Sequence, residues 1–452
     1  MDVLPLPPRP DLAEYEKRAG ELAAAAGSAD PGTVRAWATE WLEALAGLLE
    51  VSITPFVQHS FDRAVASIEE RVRKAGAPFT LADAQLLIAR AHGFEGWPAF
   101  AAAVAPPAET DPVRREFEAA ADAVVTGDLA TLASLVRRHP DLVHARSSRV
   151  HGATLLHYVA ANGVEDFRQK TPPNALTIAR FLLEAGAEVD GLANTYGGDK
   201  YQTTMNLLVS STHPAEAGLQ APLVHLLLDF GAAINGLDDD GSPLVTALAF
   251  GYGESADALA GRGARIDNVI TAAALGRLDL VRRFVVDPAT LRDGVPVQGP
   301  LWFSWPEGAR AQIELALVWA CRFGRAPVAR FLLDQGVDPA ARNGDAMTAL
   351  HWAAASRCME LVKLLLAKDA PLEVRNTWGG TVLDSTVYFA VNQPMTTPCS
   401  SHDYPAVIEA LLGAGADATA VTPFPTGNPK LDGVLRRYGA ESDQPPEGAR
   451  AS

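Results

Sequence analysis

Along most of the chain, apolar residues recur at helical spacing in short paired runs, and each pair closes on a turn of small residues. One run carries Leu350, Trp352, Ala353 and Ala354, and the next carries Leu361, Val362, Leu364, Leu365 and Leu366. The turns fall at Gly186, Gly231, Gly263, Gly336 and Gly415, and Asp369 fills the same slot without a glycine. Glycine ends a helix by taking the left-handed conformation at low cost. Ahead of these pairs the pattern predicts longer helices over 11–26, 33–50 and 61–74, and a fourth over 81–91 capped by Thr80. The second puts Val34, Trp37, Trp41, Leu45 and Leu48 on one stripe, and the third ends in Arg71, Arg73 and Lys74, which suit a helix C-terminus.

Two segments repeat each other: Thr154-Leu-Leu-His157-Tyr-Val-Ala and Thr348-Ala-Leu-His351-Trp-Ala-Ala. The step from Gly336 to Asp369 is 33 residues. A Thr-x-Leu-His-x-Ala start with this period resembles the ankyrin-repeat family over about 118–440. The resemblance implies an all-α, ankyrin-type helix-turn-helix solenoid with short β-hairpin fingers. It also implies that His157 and His351 make structural hydrogen bonds between adjacent turns. No single helix pair buries its apolar face, so neighbours must stack.

The spacing serves as a ruler. Thr348 to Asp369 and Ser242 to Gly263 are both 21 residues, and 268–289, 315–336 and 118–139 fit the same length. Three units are longer, with the surplus at 163–174, 211–221 and 389–404, between the two helices of a pair. Loops that depart from the repeat often carry function. The fingers vary too. Gly263 to Asn268 leaves almost no finger, whereas Ala289 to Leu315 leaves a long one, so the regular stack is expected to break near 263–315. The organisation expected is a Pro-rich, disordered tail at 1–10, a small helical domain at 11–105, a linker at 106–117, about eight repeats at 118–440 and a polar, disordered tail at 441–452. His92-Gly-Phe-Glu-Gly-Trp-Pro-Ala-Phe100 looks like the segment that precedes ankyrin arrays in many bacterial proteins. The Ala/Arg-rich, Lys-poor composition fits a GC-rich bacterial genome.

The chain has 452 residues and a net charge of −16, which disfavours nucleic acid and anionic membranes as partners. No run of 18 apolar residues and no leader pattern is present, and three cysteines do not make a disulfide framework, so the cytoplasm is the expected location.

No common catalytic or nucleotide-binding motif occurs, so no catalytic, cofactor-binding or metal residue is assigned. Cys399 and His402 are sequence neighbours, and nucleophile and base are usually brought together by the fold instead. His139, His144 and His151 lack a fourth ligand at metal spacing. The aromatic residues say more. Asn194-Thr-Tyr196-Gly-Gly and Asn376-Thr-Trp378-Gly-Gly occupy matching fingers, and Trp302, Phe303 and Trp305 sit in the long one. These side chains either pack between fingers or stand on the concave side as anchors for a partner protein. The leading reading is a non-catalytic interaction scaffold. The rivals are an enzyme with its site in the N-terminal helices or the inserted loops, and a small-ligand sensor at the break in the stack.

Overall fold

The computed structural model describes residues 4–440 except 5, 7–9, 31, 49–54, 105–111, 150, 162–163, 166–167, 196–200, 297–302, 393–394, 396 and 398. The chain forms two compact units, Met1–Ala233 and Ile234–Ser452. Among the described residues no helix is long and apolar enough to cross a membrane.

The first unit opens with α1 (Leu12–Ala26), α2 (Thr33–Leu48), α3 (Pro55–Ala75), α4 (Leu81–Ala91) and α5 (Trp97–Val104). Asp11 caps α1 by accepting from the Ala13 N–H, and Thr80 and Asp83 form a reciprocal capping box on α4. The stripe read on α2 is its buried face, with Trp37, Trp41 and Leu45 inside, but Leu48 at its end is exposed. These residues join Tyr15, Leu22, Ile68, Ile88, Phe94 and Phe100 in one core. Within it His92 meets the rings of Tyr15, Trp41 and Phe100 at 5.2–5.6 Å between centroids. The segment expected as a tail contributes to this core: Leu6 is buried, and the Leu4 N–H donates to the Ala91 carbonyl at 2.7 Å. The segment expected as a linker is helical from Pro112 onward, a residue suited to a first helical turn. Residues 105–111 and 441–452 lie outside the described residues.

Helix pairs follow. α6 (Pro112–Thr126) packs on α7 (Leu129–Arg138), and α8 (Leu155–Val159) packs on α9 (Ala175–Glu184). After α10 (Thr204–Leu208), an inserted α11 (Thr212–Glu216) leads to α12 (Gln220–Asp229), which packs on α10. The first helices stack in the order α6, α8, α10, and the second helices α9 and α12 stack beside them. One finger is a short antiparallel ladder in which β1 (Leu192–Ala193) pairs with β2 (Gln202–Thr203).

The second unit runs α13 (Ser242–Phe250), α14 (Gly253–Gly261), α15 (Val269–Ala274) and α16 (Leu278–Phe284), then a hairpin of β3 (Val285–Asp287) and β4 (Thr290–Leu291). It continues through α17 (Gly308–Arg322), α18 (Ala326–Asp334), α19 (Ala349–Ala355), α20 (Met359–Leu366), α21 (Val382–Asn392), α22 (Tyr404–Gly413) and α23 (Pro429–Arg437). Odd-numbered helices α13 to α21 stack in order, and α16, α18 and α20 form the second layer. The first layer runs on through the region of the expected break near 263–315, where every residue of the six-residue α15 is buried between α13 and α17. The surplus of the long finger instead goes into the β3–β4 hairpin and into α17, which starts at Gly308, about two turns before Leu315.

Each unit thus carries stacked helix pairs with short two-stranded fingers, an all-α solenoid architecture. The repeat glycines Gly186, Gly231, Gly263, Gly336 and Gly415 have φ of +89° to +102°, and Asp369 takes φ +58° in the sixth slot. The three insertions fall between paired helices, as the ruler places them: after α8, after α10 and after α21.

Candidate functional site

In the second unit, the finger between α20 and α21 is shaped by one side chain, Asn376. Its Oδ1 accepts from the Trp378 and Gly380 N–H groups, each at 3.0 Å, and its Nδ2 donates to Ser385 Oγ at 3.0 Å. The Asn376 N–H reaches the Gly380 carbonyl at 3.0 Å, and the Thr377 N–H reaches the Asp345 carbonyl of the preceding finger at 3.0 Å. A bonded turn of this kind resists repacking, and Trp378 stands on it 74% exposed, the most exposed large apolar residue among those described. Packing between fingers therefore does not account for Trp378.

The other aromatic candidates differ. Tyr196, its counterpart in the first unit, and Trp302 lie outside the described residues. Phe303 and Trp305 are half-buried, with ring centroids 4.9 Å apart, and Phe303 meets the buried Trp319 of α17 edge-on at 5.5 Å. They have packing partners that Trp378 lacks.

The repeated Thr/His pairs form capping boxes. The Thr154 N–H donates to His157 Nδ1 at 3.1 Å, and the Thr348 N–H does the same to His351. Each threonine hydroxyl also lies 2.8 Å from that nitrogen. His157 Nε2 continues to the Gly191 carbonyl at 3.0 Å, tying α8 to the next turn. His351 Nε2 makes no hydrogen bond of normal geometry, although the Gly380 carbonyl is near enough to oppose part of its pKa fall. Burial dominates at both rings and lowers each pKa from 6.5 to about 4, so both are neutral at pH 7.

The first insertion contains a charged cluster that its sequence does not announce. Glu165 is buried and receives Arg149 Nη1 at 2.6 Å, Arg168 Nη1 at 3.3 Å, His151 Nε2 at 3.2 Å and the Tyr158 hydroxyl at 2.9 Å. Arg168, also buried, reaches back to α6, with Glu118 at 2.7 Å and Asp122 at 2.9 Å. Burial alone would push the Glu165 pKa up. The His151 hydrogen bond and the Arg149 and Arg168 charges outweigh it and hold the carboxyl at about 2. Such a cluster fastens the insertion to the helices under it. His151, considered above as a metal ligand, is engaged here, and the Ala153 N–H donates to its other nitrogen at 3.1 Å.

The third insertion is fastened covalently. Cys399 forms a disulfide with Cys358, the residue before α20, with a Cα–Cα distance of 5.0 Å. The cysteine count, read as no disulfide framework, did not anticipate this bond, which removes Cys399 as a nucleophile; His402 Nδ1 instead faces Ser401 Oγ at 2.8 Å. Arg357 donates to the Met395 carbonyl at 3.0 and 3.2 Å, and the Tyr404 hydroxyl reaches the Ala355 carbonyl at 2.8 Å. The loop also closes over Gly324, where an added Cβ would come within 2.5 Å of Thr397 Oγ1 and 2.9 Å of Cys399 Cβ, at φ +67°. Gly324→Val should therefore lower stability by ~1–3 kcal/mol from backbone strain alone. A denaturant melt tests this, and an unchanged midpoint would refute the strained, covered glycine at this turn.

Among the described residues no group of three or more His, Cys, Asp or Glu is arranged to hold a metal ion. The family model for ankyrin repeats (3 copies) matches residues 269–376, which span α15 to the Trp378 finger's first turn. No curated protein matches the chain.

Proposed function

We propose that this chain, an ankyrin-repeat protein, is a non-catalytic scaffold that binds a protein partner through the finger side of its second unit. Ankyrin repeats are generally protein–protein interaction modules. The observation that carries the reading is Trp378, 74% exposed on a turn held by hydrogen bonds to and from Asn376 and its neighbour Thr377. An exposed indole costs solvation in the free protein, and holding it on a rigid turn reduces the entropy lost when a partner covers it. Tryptophan is among the residues most often found at interface hot spots. Tyr196 carries the same motif in the first unit and is proposed as an anchor of that unit by itself, whereas Phe303 and Trp305 support the fold around Trp319 as well as any contact.

The test is paired. Trp378→Ala should leave thermal stability within ~0.5 kcal/mol, as for an exposed side chain away from packing. The same change should weaken partner capture by the full chain about tenfold or more, since an anchor of ~2 kcal/mol is worth more than one decade. Identical protein sets retained by the wild-type chain and the variant, at equal affinity, would sink the reading.

A further inference from the structure

The last residue of α17 is an arginine with no acceptor among the described residues. Arg322 makes no hydrogen bond or ion pair to any described residue, and its Nε is wholly buried. Its guanidinium lies over the Trp352 ring at 4.7 Å from the centroid and near the Phe323 ring at 5.6 Å. Trp352 is buried in turn, and its indole Nε1 is a second buried donor without an acceptor. The opposite wall is the turn after α13, where Gly251 has φ +88°, and a Cβ there would sit 3.0 Å from Arg322 Nη2. The left-handed backbone favours glycine there, and the guanidinium lies close against it.

Two other arginines of this unit that reach across elements have an anion or a carbonyl, whereas Arg282 lies over the Phe331 ring at 5.5 Å. Arg325 pairs with Asp257 at 3.0 Å, and Arg357 binds the Met395 carbonyl. Arg322 has π faces alone, which favour a cation but satisfy none of its five N–H donors. Burial pulls its pKa from 12.5 down to about 10, opposed only by the field of Asp345, which is not hydrogen-bonded to it. A guanidinium in this setting is charged at pH 7, and its buried Nε–H is left without an acceptor, which is unfavourable until one is supplied.

We propose that Arg322, flanked by Trp352, Phe323 and the Gly251 turn, is the anchor of a carboxylate-binding site. A carboxylate is the planar anion that an arginine fork takes in two parallel hydrogen bonds. A monoanion suits the site better than a doubly charged phosphate, because one guanidinium offsets one charge while Asp345 and the net charge of −16 repel the second. The aromatic walls further reward an acid with an apolar or aromatic body. Two sources share this chemistry, a free aromatic acid and an acidic side chain of a bound peptide. The site stands whether or not Trp378 binds a partner.

The experiment is a titration of the full ¹⁵N-labelled chain with benzoate, with N-acetylglutamate α-amide, with inorganic phosphate and with chloride at matched ionic strength. The Arg322 Nε–H and Trp352 Nε1–H signals are identified by their loss in Arg322→Met and Trp352→Phe. Both signals should move saturably with at least one carboxylate and not with chloride. A stronger response to benzoate assigns a free aromatic acid, and a stronger response to the glutamate amide assigns an acidic peptide. Arg322→Met should weaken that binding at least tenfold. If this variant does not fold, Trp352→Phe, which keeps a ring under the guanidinium, should still bind the same carboxylate. Unmoved signals, an equal response to phosphate or chloride, or binding that survives in folded Arg322→Met would overturn the proposal.

Discussion

Replacing Glu165 with glutamine is expected to destabilise the first unit by roughly 3–5 kcal/mol, the cost of breaking a buried ion pair from one side. The substitution keeps the shape and removes the charge. Arg149 keeps Glu118 at 3.6 Å, and Arg168 keeps Glu118 and Asp122. The loss should reach the whole unit, because Arg168 links the insertion to α6, against which α7, α8 and α9 pack. Denaturant unfolding measures it. Glu118→Gln, at a carboxylate already 29% exposed, is the milder comparison. A change below ~1 kcal/mol for Glu165→Gln would mean that the cluster behaves like a surface ion pair. The same group sets an acid limit. Its folded pKa of about 2 lies below its ordinary 4.5, so its contribution is complete above pH 4.5 and is lost as pH falls toward 2.

Stability should begin to fall well before that limit, between pH 6.5 and 4, because of His157 in the first unit and His351 in the second. Each folded ring titrates at about 4 and each unfolded one near 6.5. The unfolded chain therefore takes up a proton over this window while the folded chain does not, and acidification favours unfolding. The loss per histidine is ~2 kcal/mol by pH 5 and ~3 kcal/mol by pH 4. Above pH 6.5 this contribution is complete and flat. Unfolding midpoints at pH 7.5, 6 and 5, with ¹H titration of the imidazole C2 protons, test it directly. Two rings that charge at pH 6 or above in the folded chain would refute the buried-neutral assignment.

Much of the solenoid is legible because its signals are local. Thr348 and His351 are three residues apart, and the threonine-histidine box they form needs nothing beyond its own helix turn. The glycine turns likewise report a backbone need that the sequence displays openly. Insertions show as surplus against a fixed ruler, so their positions were readable and their interiors were not. Arg168 meets partners 46 and 50 residues upstream, and no spacing rule connects an arginine in an insertion to acids on α6. The one available hint was a pair of charges, Glu165 and Arg168, three residues apart in a short loop. Cys358 and Cys399 are 41 residues apart and meet only because the loop folds back on the α19–α20 turn. First-layer stacking through 263–315 was missed for a related reason. A short finger removes surface ornament, whereas stacking is decided by the apolar faces of α13, α15 and α17, which α15 retains in full. Aromatic clusters were legible as clusters, but the outcome of each depended on a distant neighbour: Trp319 lies beside Phe303, whereas Trp378 is left 74% exposed.

The disulfide also changes how the molecule carries tension. Pulled from its two ends, an oxidised chain transmits force from residue 358 to residue 399 through sulfur, and the segment between them is bypassed. That segment includes α20, the Trp378 finger and α21, so the proposed contact residue sits on slack chain while the helices on either side bear load. Bond reduction puts the segment in series with the rest and adds ~140 Å of extensible contour, at about 3.4 Å for each of the residues released. A scaffold drawn taut between two anchored partners would keep its exposed tryptophan finger folded in the oxidised form and surrender it under load in the reduced one.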